Sequence, residues 1–288
     1  MKLQGIFVDT TTPFDYSGDL YRVKIEHNIG KWNRTSVAGY VVGGFNGEGA
    51  LLSAEEKGEL WKVAAASVGP EKMLIAGVDS AGVRGAVAQV NRAAELGFAA
   101  ALVETPHYEK LLASAEAQQL FFRSVADRAN IPILIANRPN ATGIDLSVET
   151  MLALAIHPNI CGVVDHSGDC GRIERLGAVD VLCGVERMLW NALRSGAAGA
   201  VLAFANAAPY ATIALWEAYR TREEEAGLDW QARIAVPAEV INTRYGVAGL
   251  KHAMDVNGYY GGPPRLPWTV PGPAEKREIQ EALVDLKS

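Results

Sequence analysis

Two titratable residues, Asp9 and His166, each follow a short apolar run, at positions where acid–base chemistry is expected. Side chains alternate between the two faces of a strand, so His166 should face the same way as Val164, one layer higher. A carboxylate at position 9 would be buried, and buried charges need partners. We therefore predict a hydrogen-bonded pair of Asp9 and His166 in which the histidine acts as general base or acid. The alternatives are a His166 that bonds a backbone carbonyl and an Asp9 that caps a turn.

The glycine-rich segment Gly43–Gly49 is a candidate anion site. Its backbone amides could hold a carboxylate at the start of a helix. The alternative is a tight turn between strand and helix that needs positive φ, and glycine spacing does not separate the two. Arg138 could hold a substrate carboxylate through two parallel hydrogen bonds, with an exposed loop arginine as the alternative.

A metal site is not predicted. Glu104 or Glu186 beside His166 would supply ligands for a divalent cation that stabilises an enolate. Their spacing matches no ligand motif, so we expect neither a metal nor another cofactor.

The composition describes a globular chain rather than a disordered or fibrous one. The 288 residues are 49% hydrophobic and 21% charged, with a formal net charge of −6. This charge gives no basic field for nucleic acid or for an anionic membrane surface. Three cysteines without a C-x-x-C pair indicate neither a disulfide framework nor a zinc site. Asp9 interrupts any secretory segment and no long apolar run follows, so we expect a cytoplasmic protein that begins at Met1.

Short apolar runs alternate with amphipathic stretches, which is typical of parallel strands joined by helices. The predicted strands are Ile6–Thr11, Gly39–Gly43, Met73–Val78, Ala99–Glu104, Ile133–Asn137, Gly162–His166, Asp180–Cys183 and Gly199–Phe204. The predicted helices between them are Leu20–Asn33, Ala54–Ser67, Ala81–Leu96, Ala113–Ala129, Val148–Ile156, Cys170–Leu176, Glu186–Ser195 and Ala207–Arg222. Eight such units predict a (β/α)8 barrel with its chemistry at the carboxyl ends of the strands. A doubly wound open sheet is disfavoured, because no glycine-rich phosphate loop follows the first strand.

Residues beyond the eighth unit predict a helical extension. The helices expected there are Gln231–Asn242, Leu250–Asn257 and Pro273–Leu286. We place the barrel in residues 1–224 and the extension in residues 225–288, packed together as one structural unit. The segment Ser53–Glu56 has the pattern of a capping box and should begin the second helix.

Several segments, in this order, resemble the dihydrodipicolinate synthase and N-acetylneuraminate lyase family of pyruvate-handling aldolases. They are Thr12–Asp15, Gly44–Glu48, Thr105–Tyr108, Pro139–Gly143, Ala205–Asn206 and Gly258–Gly262. Asn46 and the loop Asn140–Gly143 lean toward the 4-hydroxy-2-oxoglutarate aldolase branch. The resemblance covers almost the whole chain and implies the same barrel fold.

The resemblance implies a lysine at the end of strand six that forms a Schiff base with pyruvate, and a tyrosine on strand five that relays protons. This sequence has Val164 at the lysine position and Ala136 at the tyrosine position. Of its ten lysines, only Lys110 lies near the carboxyl end of a predicted strand, where a solvated surface lysine is the alternative. We therefore predict that the ordinary imine route is closed.

Two functions remain open: a lyase acting on a small 2-oxo acid through changed chemistry, and a non-catalytic oxo-acid-binding or regulatory relative. The predicted catalytic residues are His166, Asp9 and Tyr108, and the predicted substrate-binding residues are Gly44, Phe45, Asn46, Arg138, Ala136, Val164 and Val201.

By resemblance, Tyr108 enters a neighbouring subunit's site and implies a homo-oligomer, a dimer or tetramer. Aromatic packing at that interface is its alternative role. Ala141 stands where some relatives carry a carboxylate-binding arginine, which disfavours a dicarboxylate or semialdehyde substrate.

Overall fold

Eight parallel strands, hydrogen-bonded in sequence order, close into a barrel in the computed structural model, which describes residues 3–109 and 114–286. The strands are β1 (Gly5–Asp9), β2 (Gly39–Val42), β3 (Met73–Val78), β4 (Ala100–Glu104), β5 (Ile133–Asn137), β6 (Ile160–Asp165), β7 (Val181–Cys183) and β8 (Gly199–Leu202). The predicted (β/α)8 barrel is confirmed. The first and last strands end earlier than predicted, because Thr10 and Ala203 already belong to the turns that follow.

Helices follow the strands around the outside of the barrel and continue beyond it. They are α1 (Arg22–Trp32), α2 (Ala54–Ser67), α3 (Val83–Glu95), α4 (Ala115–Ala126), α5 (Pro139–Thr142), α6 (Val148–Ala155), α7 (Cys170–Leu176), α8 (Leu189–Arg194), α9 (Pro209–Thr221), α10 (Glu224–Ala238), α11 (Gly246–Val256) and α12 (Pro273–Ala282). Within residues 3–109 and 114–286, none of them is long and apolar enough to cross a bilayer.

The start of α2 matches its prediction. The Ser53 side chain accepts a hydrogen bond from the Glu56 amide at 3.1 Å, and the Glu56 carboxylate accepts one from the Ser53 amide at 2.8 Å. This reciprocal pair is the predicted capping box, and it fixes where the loop after β2 ends.

The barrel interior is apolar and sets the positions of the polar residues above it. Every strand contributes at least one inward-facing side chain to a single buried cluster. The members of this cluster are Leu3, Phe7, Val41, Ile75, Ala100, Leu102, Leu134, Ala136, Val164, Leu182 and Val201. Because strand side chains alternate, the residues two positions further along also face inward. Those residues include Asp9, Glu104, Arg138 and His166, which therefore form the next layer at the carboxyl ends of the strands.

The extension differs in detail from its prediction. Helix α10 begins at Glu224, seven residues before the predicted Gln231, because its polar first turn carries no apolar period. Pro237 lies inside α10 and has no N–H to donate, and residues Glu239–Arg244 continue as a wide π-helical turn. Helix α11 then begins at Gly246, ahead of the predicted Leu250. The predicted last helix is divided in the structure into α12 and a short 3₁₀ turn.

The extension shares the hydrophobic core that lies between the barrel and its helices. Ile234, Ile241, Leu250, Met254 and Ile279 are buried in the same cluster as the outward-facing strand residues. The carboxyl-terminal helices thus pack against the barrel and approach the mouth where the strands end.

Candidate active site

A cavity of about 590 Å³ opens at the carboxyl ends of β2 to β5. Its polar lining includes Glu48, Asp79, Glu104, His107, Arg138 and Thr243, and its apolar lining includes Phe45, Leu51, Tyr245, Val247, Ala248 and Trp268. Strand-end residues form one side of the cavity, and the extension forms the other. Three predicted substrate-binding residues, Gly44, Phe45 and Arg138, line it.

The predicted anion site in the loop after β2 holds a carboxylate that belongs to the chain itself. Asp9 is 1% exposed, and its Oδ2 accepts a hydrogen bond from the Asn46 Nδ2 at 2.6 Å. The Asn46 backbone also hydrogen-bonds Asp9. Asn46 was predicted to bind substrate, but its side-chain amide is engaged by Asp9. An acid bound by this loop would have to compete with Asp9.

Asp9 also pairs with a buried cation. The Arg138 Nη2 lies 3.6 Å from the Asp9 Oδ2, and the two side chains are 10% and 1% exposed. Burial raises the pKa of Asp9, and the guanidinium of Arg138 and the hydrogen bonds from Asn46 offset this rise only in part. The second Asp9 oxygen, Oδ1, has no hydrogen-bond partner among the described residues.

Arg138 is held in the cavity wall rather than in solvent. It follows β5 directly, is buried, and its guanidinium lies 4.4 Å from the centre of the Phe45 ring. This stacking fixes the plane of the guanidinium, and Nε has no hydrogen-bond partner in the described part of the chain. A buried guanidinium with an unpaired N–H can bind a substrate carboxylate or enolate oxygen.

The imidazole of His166 is neutral and is oriented by the backbone at Gly184. Burial and the nearby charge of Arg138 hold the pKa of His166 well below 6.5, although a hydrogen bond to the Gly184 backbone acts in the opposite direction. A Cβ at Gly184 would lie 2.2 Å from the His166 Nδ1, so the ring is packed directly on this glycine. The other nitrogen, Nε2, is buried and has no hydrogen-bond partner in residues 3–109 and 114–286.

The predicted hydrogen-bonded pair of Asp9 and His166 does not form. Asp9 bonds Asn46 and faces Arg138, whereas the imidazole bonds Gly184. The two residues are instead coupled through Arg138, whose charge acts on the pKa of both.

Glu104 is a further candidate functional residue in the cavity. The sequence had suggested it only as a possible metal ligand. It is the last residue of β4, lines the cavity, and its Oε1 is buried without a hydrogen-bond partner among described residues. Burial and the neighbouring carboxylates Asp9 and Asp79 raise its pKa, while Arg138 and His107 lower it in part. Its inward parity on β4 was the signal available in the sequence.

Other predicted site residues lie outside the cavity lining formed by the described residues, and these include Asp9, Asn46 and His166. Ala136, Val164 and Val201 are buried in the apolar interior of the barrel, one layer below Arg138 and His166. Val164 therefore faces inward, as predicted. Tyr108 is 91% exposed in the loop after β4, and Lys110 lies outside the described residues.

Two lysines that no sequence motif distinguishes are buried as ion pairs near the cavity. The Lys57 Nζ lies 2.7 Å from the Asp79 Oδ1, and the Lys251 Nζ lies 2.5 Å from the Glu48 Oε1. Burial lowers the pKa of Lys251 to about 8, while its pairing with Glu48 opposes the shift. Neither lysine belongs to the cavity lining formed by the described residues.

In residues 3–109 and 114–286, histidine, cysteine and acidic side chains form no group of three that could hold a metal ion. Glu186 instead serves the fold. Its Oε1 accepts hydrogen bonds from the Phe204 amide at 3.0 Å and from the Asn242 side chain at 2.9 Å. It thereby ties the turn after β8 to the π-helical turn of the extension.

Together, the closed parallel barrel and the polar cavity define a (β/α)8-barrel protein whose candidate site lies at the carboxyl ends of its strands. The family model described as "Dihydrodipicolinate synthetase family" matches residues 2–286, and the chain belongs to this family.

Three relatives illustrate the similarity. A "Probable 4-hydroxy-2-oxoglutarate aldolase, mitochondrial" of Emericella nidulans is 33% identical over 97% of this chain and 93% of its own length. A 4-hydroxy-tetrahydrodipicolinate synthase of Xanthomonas axonopodis pv. citri is 34% identical over 82% of this chain and 79% of its own length. The solved 4-hydroxy-tetrahydrodipicolinate synthase of Methylacidiphilum fumariolicum SolV superposes with a TM-score of 0.93, at 25% identity, over 99% of this chain and 96% of that one.

Proposed function

We propose that the protein is a carbon–carbon lyase for a 4-hydroxy-2-oxo acid, in which a guanidinium rather than an imine stabilises the enolate. The observation that supports this most directly is Arg138, a buried cation in the cavity wall whose Nε has no hydrogen-bond partner in the parts of the chain that the structure describes. A fixed positive charge in a desolvated site stabilises a developing oxyanion far better than it would in water. The similarity to a 4-hydroxy-2-oxoglutarate aldolase agrees with this reaction type.

The proposed reaction needs one group that removes a proton and returns it. The neutral His166, which lies near Arg138 but outside the cavity lining of the described residues, accepts the proton of the substrate 4-hydroxyl at Nε2 through one bridging water. The C3–C4 bond breaks, C4 becomes an aldehyde, and the electron pair forms an enolate whose charge rests on the C2 oxygen near Arg138. Because the pKa of His166 is low, its imidazolium readily returns the proton to C3, which releases a pyruvate-type acid and restores the histidine.

A second candidate is a non-catalytic relative that binds an oxo acid. The observation that favours it is that Val164 and Ala136, buried in the apolar interior below the cavity, offer neither an amine nor a hydroxyl for turnover. We further propose a cytoplasmic homo-oligomer without a cofactor, with the exposed Tyr108 at a subunit contact. Neither nucleic acid nor membrane is proposed as a partner.

The test measures cleavage of 4-hydroxy-2-oxo acids, with pyruvate detected by lactate dehydrogenase. We expect activity in the wild type and a loss of about 100-fold or more in kcat for His166→Asn. His157→Asn is the matched control, because His157 lies ahead of β6 at the opposite end of the barrel and bonds Asp127. Arg138→Lys keeps the charge but loses the planar fork, so it should also lose activity.

Borohydride reduction in the presence of pyruvate distinguishes the enolate route from an imine. We expect no mass increase in the intact protein, and a stable adduct on any lysine would overturn the proposal. If no substrate is cleaved but pyruvate binding depends on Arg138, the non-catalytic candidate is supported.

A further inference from the structure

The size of the cavity does not match a small oxo acid. A volume of about 590 Å³ lies within the range of roughly 300–1,000 Å³ that is typical of pockets for drug-sized ligands. An acid as small as pyruvate would fill only a minor part of it. The Asn46 side chain at the strand-end side is already engaged by Asp9, which leaves the side near the extension for the rest of a larger ligand.

The cavity changes character from the strand ends toward the extension. Arg138, at the strand ends, is 8% exposed, whereas Phe45 and Trp268 are 56% and 57% exposed. The charged end is thus buried and the aromatic end is open. The remaining lining near the extension combines Tyr245, Val247 and Ala248 with Thr243 and Arg244, and the Arg244 guanidinium is paired with Glu278.

The side chains of Phe45 and Tyr245 and the backbone of Trp268 are held in place before any ligand binds. One face of Phe45 stacks on Arg138, and the Tyr245 hydroxyl donates a hydrogen bond to Glu278 of α12. The Trp268 amide bonds the Arg265 carbonyl at 3.1 Å, and the Arg265 side chain makes two hydrogen bonds of 2.7 Å to Glu56 of α2. Walls fixed in this way bind a rigid ring with little additional loss of conformational entropy.

From this arrangement we infer that the substrate is a 2-oxo acid with an aromatic substituent, whose ring packs between Phe45, Tyr245 and Trp268 while its acid group lies at Arg138. The inference rests on the proposed function and adds the class of substrate to it. Aromatic walls favour an aromatic ring over an aliphatic chain of equal size, because edge-to-face and offset contacts contribute beyond the buried area.

Calorimetric titration with pyruvate, phenylpyruvate and a straight-chain 2-oxo acid of similar length tests this inference without requiring turnover. We expect phenylpyruvate to bind the wild type at least about tenfold more tightly than pyruvate, and more tightly than the straight-chain acid. Trp268→Ala should weaken phenylpyruvate binding by about threefold to tenfold. Val270→Ala is the matched control in the same segment, because Val270 is exposed and does not line the cavity formed by the described residues; it should bind as the wild type does.

Ala248→Phe provides a second variant that fills the aromatic end and should abolish the preference for phenylpyruvate. A preference that survives this change would overturn the inference. Equal binding of pyruvate and phenylpyruvate, or of phenylpyruvate and the straight-chain acid, would overturn it while leaving the proposed function intact. If no 2-oxo acid binds, the inference and the proposed function are both wrong.

Discussion

At the scale of single residues, the protonation state of His166 is the most direct test of the site. Burial and Arg138 hold its pKa well below 6.5, so the ring should remain neutral at pH 6.5 and above. Nitrogen-15 NMR of the imidazole measures this state, and His166→Asn identifies the signal by its loss. An imidazole that titrates near pH 6.5 would contradict the burial of His166 beside the Arg138 charge.

The same pKa shift predicts the direction of a stability change. Below about pH 6.5 the unfolded chain protonates this histidine while the folded chain does not, so the unfolded state binds more protons. The contribution of His166 to the free energy of unfolding therefore falls as the pH is lowered from 6.5 toward its folded pKa. His166→Asn should lose less stability than the wild type over this interval.

The sequence predicted which residues lie at the strand ends better than it predicted how they pair. Asp9, Arg138 and His166 all lie in the layer above the apolar interior, as the alternation of strand residues predicts, although only Arg138 lines the cavity formed by the described residues. Their partners depend on barrel closure, which brings β1 close to Arg138 from β5 and to the loop carrying Asn46. Periodicity contains no information about such contacts, and the expected pair of Asp9 and His166 was therefore wrong.

At the scale of elements, close contact between β3 and the loop after β2 depends on one glycine. A Cβ at Gly77 would lie 2.3 Å from the Gly44 backbone nitrogen and Cα, which no side-chain rotation can relieve. Gly77→Ala should displace the loop that holds Asp9 and lower the free energy of unfolding by about 2 kcal/mol or more. Gly58→Ala, in the middle of α2 with no atom within 4 Å of the added Cβ, should instead raise it by about 0.5–1 kcal/mol.

Thermal or denaturant unfolding measures both variants, and phenylpyruvate titration shows whether the loop has moved. Gly77→Ala with wild-type stability and unchanged binding would show that the approach of this loop to β3 is not needed for the site. If the two variants change the free energy of unfolding in opposite directions, the effect at Gly77 is steric and is not a general effect of adding a methyl group.

The element pattern of the barrel was predictable, whereas that of the extension was only partly so. Strands β3 and β5 and helices α2 and α7 have the predicted bounds, because their apolar periods end at clear turn or cap residues. In the extension, Pro237 lies within α10 and the chain continues through a π-helical turn. Proline normally predicts a helix boundary, so sequence periodicity could not indicate that Thr243 to Ala248 would form one wall of the cavity.

At the scale of the whole molecule, a buried ion pair joins the extension to the barrel loop that forms the site. Lys251 of α11 pairs with Glu48, the two side chains are 1% and 2% exposed, and the Arg265 amide donates to the Glu48 Oε2 at 2.7 Å. The Lys251 Nζ also donates to the Pro263 carbonyl at 3.0 Å. Sequence spacing could not predict this pair, since Glu48 and Lys251 come from opposite ends of the chain.

Removing one partner of this pair should affect the whole fold, because it leaves the other charge buried without compensation. We expect Lys251→Met to lower the free energy of unfolding by about 3–5 kcal/mol at pH 7, and the double variant Lys251→Met with Glu48→Gln to lower it by less. Arg194→Met is the control: it breaks the exposed pair with Glu224 of α10 and should cost at most about 1 kcal/mol. Chemical denaturation of the four proteins measures these values. A double variant that is less stable than Lys251→Met would mean that Glu48 stabilises the loop through Arg265 alone, and that the extension and the barrel are not joined through the lysine.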